Sequence, residues 1–120
     1  MLVVMTETTG NVLLIDRLLG LSSDPTQNIY NDAYSAYWSL KWSDLIRNSS
    51  RELGDQGMWA LHNWLRESFR TNKPFDQFVR ELVTAKGSIF SNGPANYFRI
   101  ASSAPDLAET TSQLLLGTRL

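Results

Sequence analysis

The 120-residue sequence has no cysteine and only one histidine, His62. Without thiols there can be no disulfide, thiolate metal site, covalent haem attachment or cysteine nucleophile in this chain. A single imidazole leaves no second His at ligand spacing. Charge of one sign is also lacking: 11 Lys and Arg against 12 Asp and Glu leave a net −1. That balance gives no electrostatic reason to expect a nucleic-acid partner or an anionic membrane surface. Long apolar runs are missing as well. Met1-Leu2-Val3-Val4-Met5 is broken by Thr6-Glu7-Thr8-Thr9-Gly10, short of the ~7–15 residues of a signal-peptide core and the ~18 of a membrane span. No glycine-rich phosphate loop, serine-centred elbow, acid cluster at metal spacing, repeat or low-complexity tract is found.

What the chain does have is apolar and aromatic content, 42% and 11%, enough for one folded domain with a single core. No stretch keeps a two-residue alternation, so the expected class is all-α: about five helices around one core, with a long ordered loop near 87–100. The first helix is expected over Val12–Leu19 with Gly20 as its stop, followed by the polar turn cluster Ser22–Asn28. Tyr34, Tyr37, Trp38, Lys41, Trp42 and Leu45 fall at helical spacing and predict an aromatic buried stripe that fades at Asn48-Ser49-Ser50. A third helix over Gly57–Arg70 places Met58, Leu61, His62, Leu65 and Phe69 on one face. Pro74 suits the first turn of a fourth helix, whose buried stripe would be Phe75, Phe78, Val79, Leu82 and Val83. Ser103 and Asp106 approximate a capping box for a fifth helix that runs through Leu107, Ala108, Thr111, Leu114 and Leu115 to Gly117. The seven residues expected to share the core are Trp38, Trp42, Leu61, Leu65, Phe78, Leu82 and Leu114.

Candidate chemistry is sparse. His62 reads as a core or edge histidine. Asp76 and Arg80, four apart in a first helical turn, read as a surface ion pair. Asn48-Ser49-Ser50 matches a glycosylation sequon, a pattern frequent by chance. The stretch Gly87–Ile100 is long for a structureless connection. Ile89, Phe90, Tyr97 and Phe98 would pin it down, which leaves Asn92, Asn96 and Arg99 as candidate ligand-binding groups. The competing reading is that these Asn side chains only satisfy the loop's own backbone. Asp44 and Asp76 are the candidate catalytic carboxylates; such a pair needs a shared cleft. No residue set suggests a metal.

Four segments occur in order: Trp42-Ser43-Asp44-Leu45-Ile46-Arg47, Asn72 through Leu82 (Asn-Lys-Pro-Phe-Asp-Gln-Phe-Val-Arg-Glu-Leu), Gly93 through Arg99 (Gly-Pro-Ala-Asn-Tyr-Phe-Arg) and Leu116-Gly117-Thr118-Arg119-Leu120. Together they closely resemble a cytochrome-associated domain of unknown function that abounds in large exported planctomycete proteins. The resemblance covers about Leu14 to Leu120. It implies an extracytoplasmic protein of several domains. In that family the Gly-Thr-Arg stretch is followed by a C-x-x-C-H-like segment, able to attach a c-type haem or bind a metal. The chain stops before that segment, so the resemblance implies a fragment with no cofactor of its own. The Ser22–Asp32 stretch looks like an insertion relative to the family. Two function classes follow. One is a helical scaffold that packs against the Cys/His segment near Leu116 and Leu120, a surface that would promote self-association if left bare. The other is part of a hydrolase-like domain acting on polysaccharide through its carboxylates.

Overall fold

The computed structural model describes residues 14–18 and 29–118. Residues 14–18 (α1) are helical, whereas Gly20, the Ser22–Asn28 cluster, the Met1–Met5 run and Leu120 lie outside the described residues. The remaining elements are α2 (Asn31–Leu45), α3 (Ser50–Arg70), α4 (Phe75–Val83), a 3-10 turn (Gly93–Asn96) leading into α5 (Tyr97–Ile100), and α6 (Ala104–Thr111) continued by a π-helical turn (Ser112–Leu116). Among the described residues there is no strand, and the class is all-α as expected.

Helices α2 and α3 form an antiparallel hairpin. At its open end Asn31 Nδ2 donates to the Arg70 carbonyl at 3.0 Å and Arg66 pairs with Asp32 at 2.6 Å. At its bend Asn48 Nδ2 donates to the Met58 carbonyl at 3.1 Å. Both helices end in the same way. The Asn48 N–H reaches the Ser43 carbonyl and the Arg47 N–H that of Asp44; equally, the Lys73 N–H reaches Ser68 and the Asn72 N–H reaches Phe69. These paired bonds are Schellman motifs, which require a left-handed residue after the cap. Arg47 (φ 58°) and Asn72 (φ 49°) occupy those positions. Asparagine tolerates that conformation well; arginine there carries no sequence signal.

The face that α2 buries corrects the aromatic-stripe expectation. Ser35, Ser39 and Ser43 are its buried residues, while Tyr37 and Trp38 are exposed. Serines four apart give a smooth face on which α2 lies against α3, and bulky rings on that face would hold the helices apart. The Ser35 hydroxyl donates to the Asp32 carbonyl at 2.9 Å and Ser39 to Ala36 at 3.0 Å, so these two are satisfied, whereas the Ser43 hydroxyl has no partner. Trp38, expected in the core, is 40% exposed.

In α3 a break at Gly54 (φ 72°, ψ 164°) separates the first turn from the long helix. The buried face is Leu53, Gly57, Leu61, Leu65 and Ser68, with Met58, His62 and Phe69 only half-buried beside it. Phe78 and Leu82 of α4 are buried, but Phe75 and Val83 are not. A nine-residue helix can bury only one narrow stripe, so the wider stripe expected from sequence is corrected there. The core consists of Ile46, Leu53, Leu61, Leu65, Phe78, Leu82, Tyr97 and Ile100, with Trp42, Trp64 and Leu114 packed against it.

The expected loop 87–100 is also corrected, because its second half is helical. Two glycines make this possible. A Cβ on Gly93 would sit 2.4 Å from the Ala60 carbonyl oxygen, and one on Gly57 would sit 2.7 Å from Asn96 Oδ1. The Gly93–Asn96 turn can therefore press directly onto α3, and Tyr97 follows into the core, its hydroxyl 2.9 Å from Thr111 Oγ1. Phe90 and Phe98, expected to pin the loop, are largely exposed. The fifth expected helix begins as read: Ser103 Oγ accepts the Asp106 N–H at 3.3 Å, while Asp106 reaches back to the Ser102 N–H at 3.2 Å. Ala108 is exposed, and Leu107, Leu114 and Leu115 are half-buried.

Candidate functional site

Two clefts flank the hairpin, one at each end. The first lies where α2, α3 and α4 meet. Its walls are rings: Trp42 meets Phe78 edge-on at 5.1 Å, and Phe69 lies 6.3 Å from Phe78. Tyr34, Phe75, Asn72 and Lys73 complete the lining. Trp64 also stacks on Phe78 at 4.8 Å. The cavity is only about 100 Å³, well below the ~300–1,000 Å³ of a typical ligand pocket. Its polar edge is closed on itself. Glu81 accepts from Lys73 Nζ, from Trp64 Nε1 at 3.1 Å and from Gln77 Nε2 at 3.0 Å. The Lys73 hydrogen bond, supported by Gln77 and Trp64, holds the Glu81 carboxyl below its ordinary pKa against the opposing effect of burial. Lys73 also lies 4.9 Å from the Trp64 ring centre. This end is a packed aromatic wedge whose Lys73 and Glu81 answer each other.

The second cleft lies at the hairpin bend, with a volume of about 500 Å³. The end of α2, the start of α3 and the Ser102–Asp106 segment supply Ser43, Asp44, Asn48, Glu52, Ser102 and Asp106. Arg47 crosses one side to Asp106 at 3.4 Å and to Thr110 Oγ1 at 3.2 Å. Ser43, Asp44 and Asn48 also line a neighbouring apolar cleft with Leu40, Met58, Trp59 and His62. His62 meets the Trp59 ring edge-on at 5.6 Å. Its pKa is lowered by partial burial and, secondarily, by the Arg66 charge.

The residues singled out from sequence do not converge. Asp44 lines the bend clefts, Asp76 stands exposed on α4, and Asn96 is fully buried elsewhere. Asp76 and Arg80 form no ion pair among the described residues; each faces solvent. Asn96 Nδ2 donates to the Ile89 carbonyl at 2.7 Å and to Gly93 at 3.1 Å. Asn92 Nδ2 donates to the Lys86 carbonyl at 2.8 Å. Arg99 Nη1 reaches the Leu53 carbonyl at 3.1 Å, an acceptor next to the Gly54 break. The sequon residue Asn48 is half-buried with its amide nitrogen engaged on Met58. Apart from Asp44, the acceptors at the bend are not legible in the sequence: Asn48 matches only a common sequon, Asp106 reads as a cap, and no spacing links 44 to 106.

Among the described residues no three His, Cys, Asp or Glu side chains are grouped to hold a metal ion, and no helix is long and apolar enough to cross a membrane. Fold and site therefore define a small all-helical domain with a packed aromatic end and an open polar bend. The chain belongs to the family described as PSCyt2, proteins of unknown function (DUF1549), matched over residues 14–120. No curated protein matches the chain, and no solved structure does.

Proposed function

We propose that this domain is a helical scaffold within a larger exported, cytochrome-associated protein, seating a Cys/His-bearing segment that holds a c-type haem or a metal. The observation that carries this reading is the use made of its polar side chains. Asn92, Asn96 and Arg99 are committed to main-chain carbonyls. Asp44 and Asp76 share no cleft. Polar groups used in this way hold a shape; they do not assemble a reaction centre. Family membership supports the association with cytochromes by resemblance alone. The docking surface in this reading is the end of the π-helical turn, where Leu116 is 74% exposed and Gly117 turns the chain left-handed (φ 67°).

The test is sedimentation velocity of the chain beside Leu116→Glu, combined with a haem titration and a glycosidase panel. The expected result is weak, concentration-dependent self-association that Leu116→Glu abolishes, with no Soret band and no turnover. A chain that is monomeric throughout, or one whose glycoside hydrolysis is lost in Asp44→Asn, would overturn the scaffold reading.

A further inference from the structure

The bend of the α2–α3 hairpin holds hydrogen-bonding capacity that nothing in the fold uses. Ser43 is the third residue of the buried serine stripe and is only 8% exposed. Unlike the Ser35 and Ser39 hydroxyls, its Oγ has no partner. Asn48 repeats the pattern. Its Nδ2 donates to the Met58 carbonyl, which fixes the amide's orientation. The Oδ1 is therefore the atom left over, buried and unpartnered. Both residues line the same two clefts as Asp44. Asp44 stands in the last turn of α2, which contains no basic residue. A carboxylate at the negative end of a helix dipole is unfavourable unless a cation answers it. Of the two cations three residues away, Lys41 lies over the Tyr37 ring and Arg47 is turned away to Asp106 and Thr110.

We propose that this bend binds the ammonium group of a small primary amine, whose apolar stem lies across Met58 and Trp59. The groups without a partner are an exposed carboxylate and, buried behind it in the cleft wall, an amide oxygen and a hydroxyl, which a small shift of the wall would present as three acceptors for the three N–H bonds of one –NH₃⁺. A calcium ion would need six to eight oxygens, and the described residues offer no acidic group of three at one point. The adjoining cleft is apolar, with Leu40, Met58 and a Trp59 that is 56% exposed. Its indole face suits both a hydrocarbon stem and the cation itself.

The experiment is an NMR titration of the full chain with hexylammonium chloride, following the Trp59 indole N–H, with hexanol and calcium chloride as parallel titrants. The expected result is a saturable shift with Kd of about 1 mM, weaker with added salt. Asp44→Asn should weaken it about tenfold, the loss of one charge-assisted hydrogen bond. Ser43→Ala should weaken it less, and Asp76→Asn, outside both clefts, not at all. Circular dichroism of each variant separates loss of binding from loss of fold. Equal shifts with hexanol, undiminished binding by a folded Asp44→Asn, no saturation with hexylammonium, or tighter binding of calcium to the same resonances would each overturn the proposal.

Discussion

The two ends of the α2–α3 hairpin finish with the same backbone motif and then diverge. After α3, the Schellman turn at Asn72 delivers Lys73 onto Glu81 and the Trp64 ring. After α2, the same turn at Arg47 sends the guanidinium away and leaves Ser43, Asp44 and Asn48 facing two clefts. One end pairs Lys73, Glu81 and Trp64 among packed rings and leaves one buried oxygen, Asn31 Oδ1, without a donor; the other buries two, on Ser43 and Asn48. A buried unpaired acceptor costs about 1–3 kcal/mol. The Ser43 and Asn48 oxygens also line clefts, where binding can relieve that cost. Residues at binding sites are characteristically poor choices for stability alone.

The largest effect should come from the aromatic end. Phe78 touches Trp42, Trp64, Phe69 and Phe75, so Phe78→Ala should destabilise by about 3–5 kcal/mol. Urea denaturation checks this, and a loss below about 1 kcal/mol would mean that the wedge does not hold the fold. Next is Gly93→Ala, whose Cβ would meet the Ala60 main-chain oxygen. The predicted loss is about 1–3 kcal/mol, and hydrogen exchange should show α5 loosened ahead of α2.

Acid should act on both ends in the same direction. His62 has a folded pKa below its unfolded value. Its contribution is complete above about pH 6.5 and erodes as pH falls, because the unfolded chain takes the proton first. His62→Gln should flatten the stability profile just below that pH. Glu81 is also lowered in the folded state, so its contribution is present above the ordinary Glu value near pH 4.3 and is lost as pH falls through its folded value. Melting temperatures from pH 8 to pH 3 would show two successive losses, the second missing in Glu81→Gln.

Much of the fold was legible in the sequence because it rests on apolar spacing. Leu61, Leu65, Phe78 and Leu82 lie four apart within their helices and are buried as expected. Three things escaped that reading. A serine stripe is invisible to a search for apolar period, although small size is what the α2–α3 contact needs. A four-residue helix such as α5 is too short to form on its own propensity; packing through Gly93 and Tyr97 creates it. The acceptors at the bend, Ser43, Asp44 and Asn48, lie close in sequence, but only the tertiary structure leaves them unpartnered and sets them beside Met58 and Trp59. Of the site, Asp44 alone stands out in the sequence, as a candidate carboxylate, and nothing there ties it to its neighbours.

The contrast between the two ends is tested most directly by equilibrium denaturation of Glu81→Gln and Asp44→Asn side by side at neutral pH and low salt. Glu81→Gln removes a half-buried, three-partner carboxylate and should destabilise by about 1 kcal/mol, allowing for screening. Asp44→Asn removes an unanswered charge from a helix C-terminus and should be neutral or stabilising by about 0.5 kcal/mol. Opposite signs are the predicted result. If Asp44→Asn destabilises the chain as much as Glu81→Gln does, Asp44 has a structural partner and the bend is not held open for a ligand.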